Sequence, residues 1–151
     1  MRESKPRILF TEDHEDTRDL IKLVLQCAQY EVTTTDTAAE ALNLARSETF
    51  NLFIFDSWLP DGSGLELCKQ VRAFDAHTPI LFYSGVGQEN DVKLAFSSGV
   101  QAYLVKPVEI PQLLETIEAL MAGQKESVKA LSRLPTTRAS QRRSATSGEL
   151  L

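Results

Sequence analysis

Short apolar runs alternate with amphipathic stretches along the first 122 residues of the chain. "RILFT" at 7–11 has the composition of a strand, and in the following "DTRDLIKLVLQCAQ" the apolar residues Leu20, Ile21, Val24, Leu25 and Ala28 recur at helical spacing. "YEVTTT" is β-branched and alternating, and "TAAEALNLARS" returns to the helical period with Thr37 as its N-cap. "LFIFD" at 52–56 predicts a third strand, after which Ser63 or Gly64 opens the helix "LELCKQVRAF". "PILFYS" predicts a fourth strand, "ENDVKLAFSSG" a helix ending at Gly99, "AYLVK" a fifth strand, and "VEIPQLLETIEALMAG" a helix stopped at Gly123. Strands and helices in strict alternation predict an α/β fold, a doubly wound five-stranded parallel sheet with five helices on its two faces, because each parallel crossover needs a helix-sized connection. The third and fourth strands are almost wholly apolar and belong in its centre.

The chain has 151 residues, enough for one domain with a full core, and 42% hydrophobic with 25% charged residues is the balance of a soluble globular protein. No apolar run approaches the ~20 residues that cross a bilayer, and "MRESKPRILF" lacks the apolar stretch of a secretory signal. The expected location is the cytoplasm, with no membrane partner. Cys27 and Cys68 lie far apart on helical patterns and are expected to be reduced. The net charge of -5 is unevenly divided: residues 123–151 hold six Lys or Arg against two Glu, and residues 1–122 hold ten against nineteen acids. That last segment has no aromatic residue and is dense in Ser, Thr and Arg, so it is expected to be a basic, disordered tail after a folded domain at 1–122.

A charged residue directly after the apolar "LFIF" is costly unless something pairs with it. In open parallel sheets, sites form outside the carboxyl ends of the strands. Those ends carry Glu12 and Asp13, then Asp56, Ser84 and Lys106, which should converge on one patch. Three carboxylates together call for a cation, and an oxygen-rich site of this kind suits Mg2+. With an ammonium and a hydroxyl added, the set can accept and hold a phosphoryl group, Asp56 being the nucleophile. His14 and His77 read as surface or loop residues, and "GVG" at 85–87 lacks the context of a dinucleotide fingerprint.

Residues 7–122 resemble the receiver domain of two-component response regulators. "ILFTED" resembles that family's first strand with its acidic pair, "FDSWLPDGSGLEL" the phosphoacceptor strand and loop, "LFYSG" the strand with the switch hydroxyl, and "AYLVKP" the strand with the switch aromatic, lysine and proline. The resemblance implies Asp56 as phosphoacceptor, with Glu12, Asp13, Asp56 and the backbone carbonyl of Trp58 as Mg2+ ligands. It further implies Ser84 and Lys106 as phosphoryl contacts, Tyr103 as an aromatic that turns inward on activation, a cis bond before Pro107, and the flavodoxin-like strand order 2-1-3-4-5.

The partners implied are a cognate histidine kinase or phosphotransfer protein, and a downstream protein or a second copy of the chain. The latter would be bound through the face formed by the fourth helix, fifth strand and fifth helix. No helix-turn-helix, cyclase or phosphodiesterase pattern follows residue 122, so no DNA-binding or other output domain is expected, and the only reactions implied are self-phosphorylation and self-dephosphorylation. Glu12 stands where aspartate is commoner in the family, and the bulky Trp58 and Val86 flank the approach of an attacking water, which suggests slow loss of phosphate. Two rival classes fit less well. A Mg2+-dependent phosphohydrolase wants a second aspartate where Trp58 stands, and a flavin binder would find its phosphate repelled by "TEDHED".

Overall fold

A computed structural model of the chain describes residues 4–85 and 87–123. The expected tail, apart from Gly123, lies outside the described residues, as does Val86. The elements run in order β1 (Arg7–Thr11), α1 (Glu15–Cys27), β2 (Glu31–Thr35), α2 (Ala38–Ser47), β3 (Leu52–Phe55), β4 (Trp58–Leu59), β5 (Gly62–Ser63), α3 (Gly64–Arg72), β6 (Ile80–Ser84), α4 (Glu89–Ser97), β7 (Ala102–Val105) and α5 (Ile110–Met121). The main sheet has the order β2-β1-β3-β6-β7 and is parallel throughout. This is the predicted doubly wound order. The pair β4–β5 is a separate antiparallel ribbon of two residues a side, too short to leave a period in the sequence.

Alternation along the strands sorts the core into two layers. Leu9, Phe53, Phe55, Ile80, Phe82 and Tyr103 point to one face, where Ala41 and Ala45 of α2, Leu67 and Val71 of α3, and Val92 and Ala95 of α4 cover them. Ile8, Phe10, Leu52, Ile54, Leu81 and Leu104 point to the other, against Ile21 and Leu25 of α1 and Leu113 and Ile117 of α5. Every residue of β3 and β6 is buried, as their unbroken apolar composition predicts for central strands. Each fully buried large side chain of this kind contributes about 1.5–3 kcal/mol. Among the described residues no helix is long and apolar enough to cross a membrane.

The helix ends follow the local chemistry. Thr37 caps α2 by accepting from the Glu40 amide, and Ser63 caps α3 by accepting from the Glu66 amide. α1 starts at Glu15, and its N-cap is His14, whose Nδ1 accepts from the Thr17 amide. α5 begins at Ile110 rather than Val108, with Pro111 in its first turn, where a missing N–H costs nothing. Gly99 closes α4 with φ +107, a conformation open to glycine and strained for other residues. Cys27 is exposed, and Cys68 is buried with its thiol donating to the Ser98 carbonyl and its pKa pushed up to about 11 by burial.

Candidate functional site

The strand register fixes which side chains meet. Thr11 pairs with Phe55 and with Thr35, Phe55 with Phe82, and Ser84 with Val105, so the carboxyl ends of β1, β3, β6 and β7 lie along one edge. The ladder extends one residue further: the Glu12 amide donates to the Thr35 carbonyl, Asp56 to Thr11 and Lys106 to Ser84. Glu12, Asp56, Ser84 and Lys106 therefore leave the sheet side by side. A buried hydroxyl pair, Thr35 donating to Thr11 at 2.9 Å, lies at the end of the β1–β2 ladder.

The Lys106 ammonium is the hub of the cluster. Its Nζ is 2.6 Å from Glu12 Oε1 and 3.3 Å from Asp56 Oδ2. The other Glu12 oxygen accepts from the His14 amide at 3.1 Å, and Arg18 Nη1 donates to the Glu12 carbonyl at 3.0 Å. Burial pushes the Glu12 carboxyl upward in pKa and the Asp56 charge adds to that, against the lowering hydrogen bonds from Lys106 and His14. Burial lowers the affinity of Lys106 for its proton, but the Glu12 hydrogen bond and the charges of Asp56 and Glu12 outweigh it, so its pKa is raised and the ammonium is held charged. The face of Tyr83 lies 5.2 Å from the same ammonium.

Glu12, Asp13 and Asp56 each present one carboxylate oxygen within 4.8 Å of the others. Glu12 and Asp56 are buried and Asp13 is exposed, so the cluster faces water on one side. Hard oxygen donors at this spacing, with room for waters, fit Mg2+. Ser84 is fully buried at the end of β6, and the Lys106–Pro107 bond is cis.

Tyr103 is 1% exposed, its ring packed 5.7 Å from that of Phe82 and its hydroxyl 3.4 Å from Ser57 Oγ. Trp58 is 66% exposed and, with Ser57, Leu65, Asp91 and Leu94, lines a cavity of about 240 Å3 between the β4–β5 ribbon and α4. The loop between β3 and α3 is held at both ends. The Gly64 amide donates to the Ser57 carbonyl at 2.8 Å, and a Cβ on Gly64 would lie 2.0 Å from the Asp56 carbonyl oxygen. At the loop's tip the Asp61 carboxylate accepts from the amides of Ala38 and Ala39 at 2.7 and 3.0 Å, a second cap on α2. Those two bonds hold the Asp61 pKa below the ordinary value.

Glu12, Asp13, Asp56 and Lys106, named from the sequence, thus meet in one cluster. The roles of His14, Arg18, Ser57 and Asp61 were not foreseen. Only Asp61 carried a signal, the turn sequence "LPDGSG", and it says nothing of which helix the carboxylate caps.

Comparison with known proteins agrees with the geometry. The family model of the response regulator receiver domain matches residues 8–118. Over 116 residues, 76% of this chain and 94% of the relative, the sequence is 30% identical to the polar-differentiation response regulator DivK of Brucella anthropi. It is 29% identical to the cell cycle transcriptional regulator CtrA of Caulobacter vibrioides over 119 residues, 79% of this chain but 52% of that protein. Among solved structures, a CheY-like response regulator receiver domain protein from Methanospirillum hungatei superposes with a TM-score of 0.78 at 31% identity, over 82% of this chain and 99% of that one. The chain belongs to the response regulator receiver domain family. Its sheet, with five parallel strands and five helices, is the flavodoxin-like fold of such domains.

Proposed function

We propose that this receiver domain takes a phosphoryl group onto an Asp56 oxygen from a phosphohistidine of a cognate kinase or phosphotransfer protein. The new O–P bond forms as the donor's N–P bond breaks, and the histidine nitrogen keeps the electron pair. One observation carries the reading: the Asp56 carboxylate lies 3.3 Å from the Lys106 ammonium and shares an oxygen cluster with Glu12 and Asp13. Nothing in the turn chemistry of a strand end requires that combination.

Glu12, Asp13, Asp56 and the carbonyl of Trp58 would hold Mg2+, whose charge neutralises the oxygens of the group being transferred. Lys106 contributes a fixed positive charge 3.3 Å from the Asp56 carboxylate, and the Ser84 hydroxyl donates to a phosphoryl oxygen. The product is a charged aspartyl phosphate, stable until water reaches it. The domain is thereby a phosphoacceptor and not a turnover enzyme, working in the cytoplasm. Its output is the binding of a protein partner or of a second copy through the surface of α4, β7 and α5, with Ser84 and Tyr103 as the residues that change position.

The test is direct. With Mg2+ and acetyl phosphate the protein should gain the mass of one phosphoryl group, and Asp56→Asn should gain none. Equal labelling of the variant would place the acceptor elsewhere.

A further inference from the structure

The order of the sheet gives Lys106 a long reach. It leaves the end of β7, yet its ammonium meets Glu12 at the end of β1 and Asp56 at the end of β3, and β6 lies between β3 and β7. The side chain therefore crosses the end of β6. At that crossing stands Tyr83, the penultimate residue of β6, with Lys106 Nζ over its ring at 5.2 Å from the centroid. Alternation along β6 turns Ser84 and Tyr83 to opposite sides of the sheet. Tyr83 belongs to the layer under α1 and α5, buried with Leu81 and Leu104, and its backbone is in register with Leu104 of β7. The ring is thus fixed by the core, whereas the lysine stem is long and rotatable. The acceptor, the metal ligands and the phosphoryl contacts leave Tyr83 without a role.

We propose that Tyr83 is a positioning residue for phosphoryl transfer: its ring face holds the Lys106 ammonium at the end of β6 while the oxygens bound to that ammonium are exchanged. The proposal rests on the phosphoacceptor reading of Asp56. Transfer brings phosphoryl oxygens beside the Asp56 carboxylate, and the ammonium has to turn some of its N–H donors from carboxylate oxygens to the new ones. A hydrogen bond to one particular oxygen is lost in such a turn. Attraction to the face of a ring is kept, because it depends on the distance of the cation and not on where its protons point. The ring also adds no negative charge to a site that already gathers three carboxylates. An acid in its place would hold the lysine but repel the incoming phosphoryl group, and an aliphatic residue would fill the space without holding the cation. With the Lys106 side chain 22% exposed, the contact belongs near the exposed end of the cation–π range, so loss of the ring should slow transfer roughly two- to fivefold.

The first readout is spectroscopic and uses no phosphodonor. Protons over an aromatic face are shifted upfield, so in protein carrying isotopically labelled lysine the Lys106 Cε protons should resonate upfield of those of the exposed Lys93, with Lys106→Arg to assign them. Tyr83→Leu should move them to the Lys93 position, and Tyr83→Phe, which keeps the ring, should leave them where the parent has them. The second readout is the rate of labelling by acetyl phosphate with Mg2+. It should fall roughly two- to fivefold in Tyr83→Leu and match the parent in Tyr83→Phe. Circular dichroism checks each fold, and Tyr83→Met, which fills a core space flexibly and also lacks a ring, replaces leucine should that variant unfold. Lys106 protons at the Lys93 position in the parent would overturn the proposal. So would labelling of the ringless variant at the parent rate, or a phenylalanine variant that behaves like the ringless one. Failure of the Asp56 assignment shows differently, as label that persists in Asp56→Asn.

Discussion

Lys106 Nζ stands 2.6 Å from a carboxylate oxygen of Glu12, a residue 94 positions earlier in the chain and 1% exposed. The ammonium is nearer to this buried acid than to Asp56, at 3.3 Å. The extra methylene that distinguishes glutamate from aspartate lengthens the reach of residue 12 toward β7. The Lys106 hydrogen bond works against the upward push of burial on the Glu12 pKa, and Glu12 in turn raises the pKa of Lys106; the pair thereby ties the end of β1 to the end of β7, on either side of the acceptor.

Removing the cation should therefore cost more than removing a surface lysine. Lys106→Ala leaves Glu12 buried beside Asp56 with its main counter-charge gone. Breaking a fully buried pair costs about 3–5 kcal/mol, and because Lys106 is 22% exposed water recovers part of this, leaving about 2 kcal/mol. Urea unfolding measures it. A loss under about 0.5 kcal/mol, typical of exposed pairs, would show that Glu12 is not held by Lys106.

Asp13 is the exposed member of the carboxylate cluster. Asp13→Ala should weaken Mg2+ binding and, without metal, relieve repulsion from Glu12 and Asp56. The gain is small because water screens Asp13, and a melting temperature higher by about 2 °C in EDTA is expected. A lower melting temperature in EDTA would contradict repulsion within the cluster.

Asp61 makes a prediction about acid. Its folded pKa is depressed, so it contributes stability that is fully present above the unfolded value of about 3.9 and is lost as pH falls through the folded value. Asp61→Ala should cost about 1 kcal/mol at pH 7, as a lost helix cap does. The difference from the parent should shrink below pH ~4 as the carboxylate takes up its proton. A difference that persists unchanged to low pH would mean that the carboxylate charge plays no part.

Gly64→Ala sets two effects against each other. Alanine is the better helix former by about 1 kcal/mol at an interior position, and less at a first turn. Its Cβ would stand 2.0 Å from the Asp56 carbonyl, which no backbone tolerates without moving. The clash wins, and a loss of roughly 2–3 kcal/mol is expected, together with slower phosphorylation as the acceptor loop shifts. A variant as stable as the parent would refute the close approach.

The Trp58 side chain, 66% exposed, should be nearly neutral for stability, within about 0.5 kcal/mol. Its expected effect is on lifetime. Trp58→Asn should speed decay of the aspartyl phosphate several-fold by admitting water, with Mg2+ affinity unchanged because only the carbonyl of this residue serves the ion. Decay after donor removal measures it, and an unchanged rate would show that the indole does not hinder the water.

Much of this architecture is legible in the chain. The apolar runs around Leu52 and Ile80 announce central strands because burial on both faces admits no polar position. The cluster follows because a parallel sheet aligns its carboxyl ends, whatever the helices between them. What escapes is contact between side chains distant in sequence. Nothing periodic links Ser57 to Tyr103 or Asp61 to α2, and a histidine Nδ1 serving as the cap of α1 looks like any surface histidine. The β4–β5 ribbon escapes for the simpler reason that two residues a side are too few to alternate.

The segment from Asp56 to Gly64 is a noose with its knot and its tip fastened separately. The knot is the Ser57–Gly64 bond under the Asp56 carbonyl; the tip is tethered to α2 by Asp61. A residue inserted beside Pro60 would loosen the tether and leave the knot closed, since one more residue in a short loop adds little closure entropy. The acceptor is thereby insulated from changes in loop length, and the tip can vary in size and chemistry while the carboxylate keeps its place.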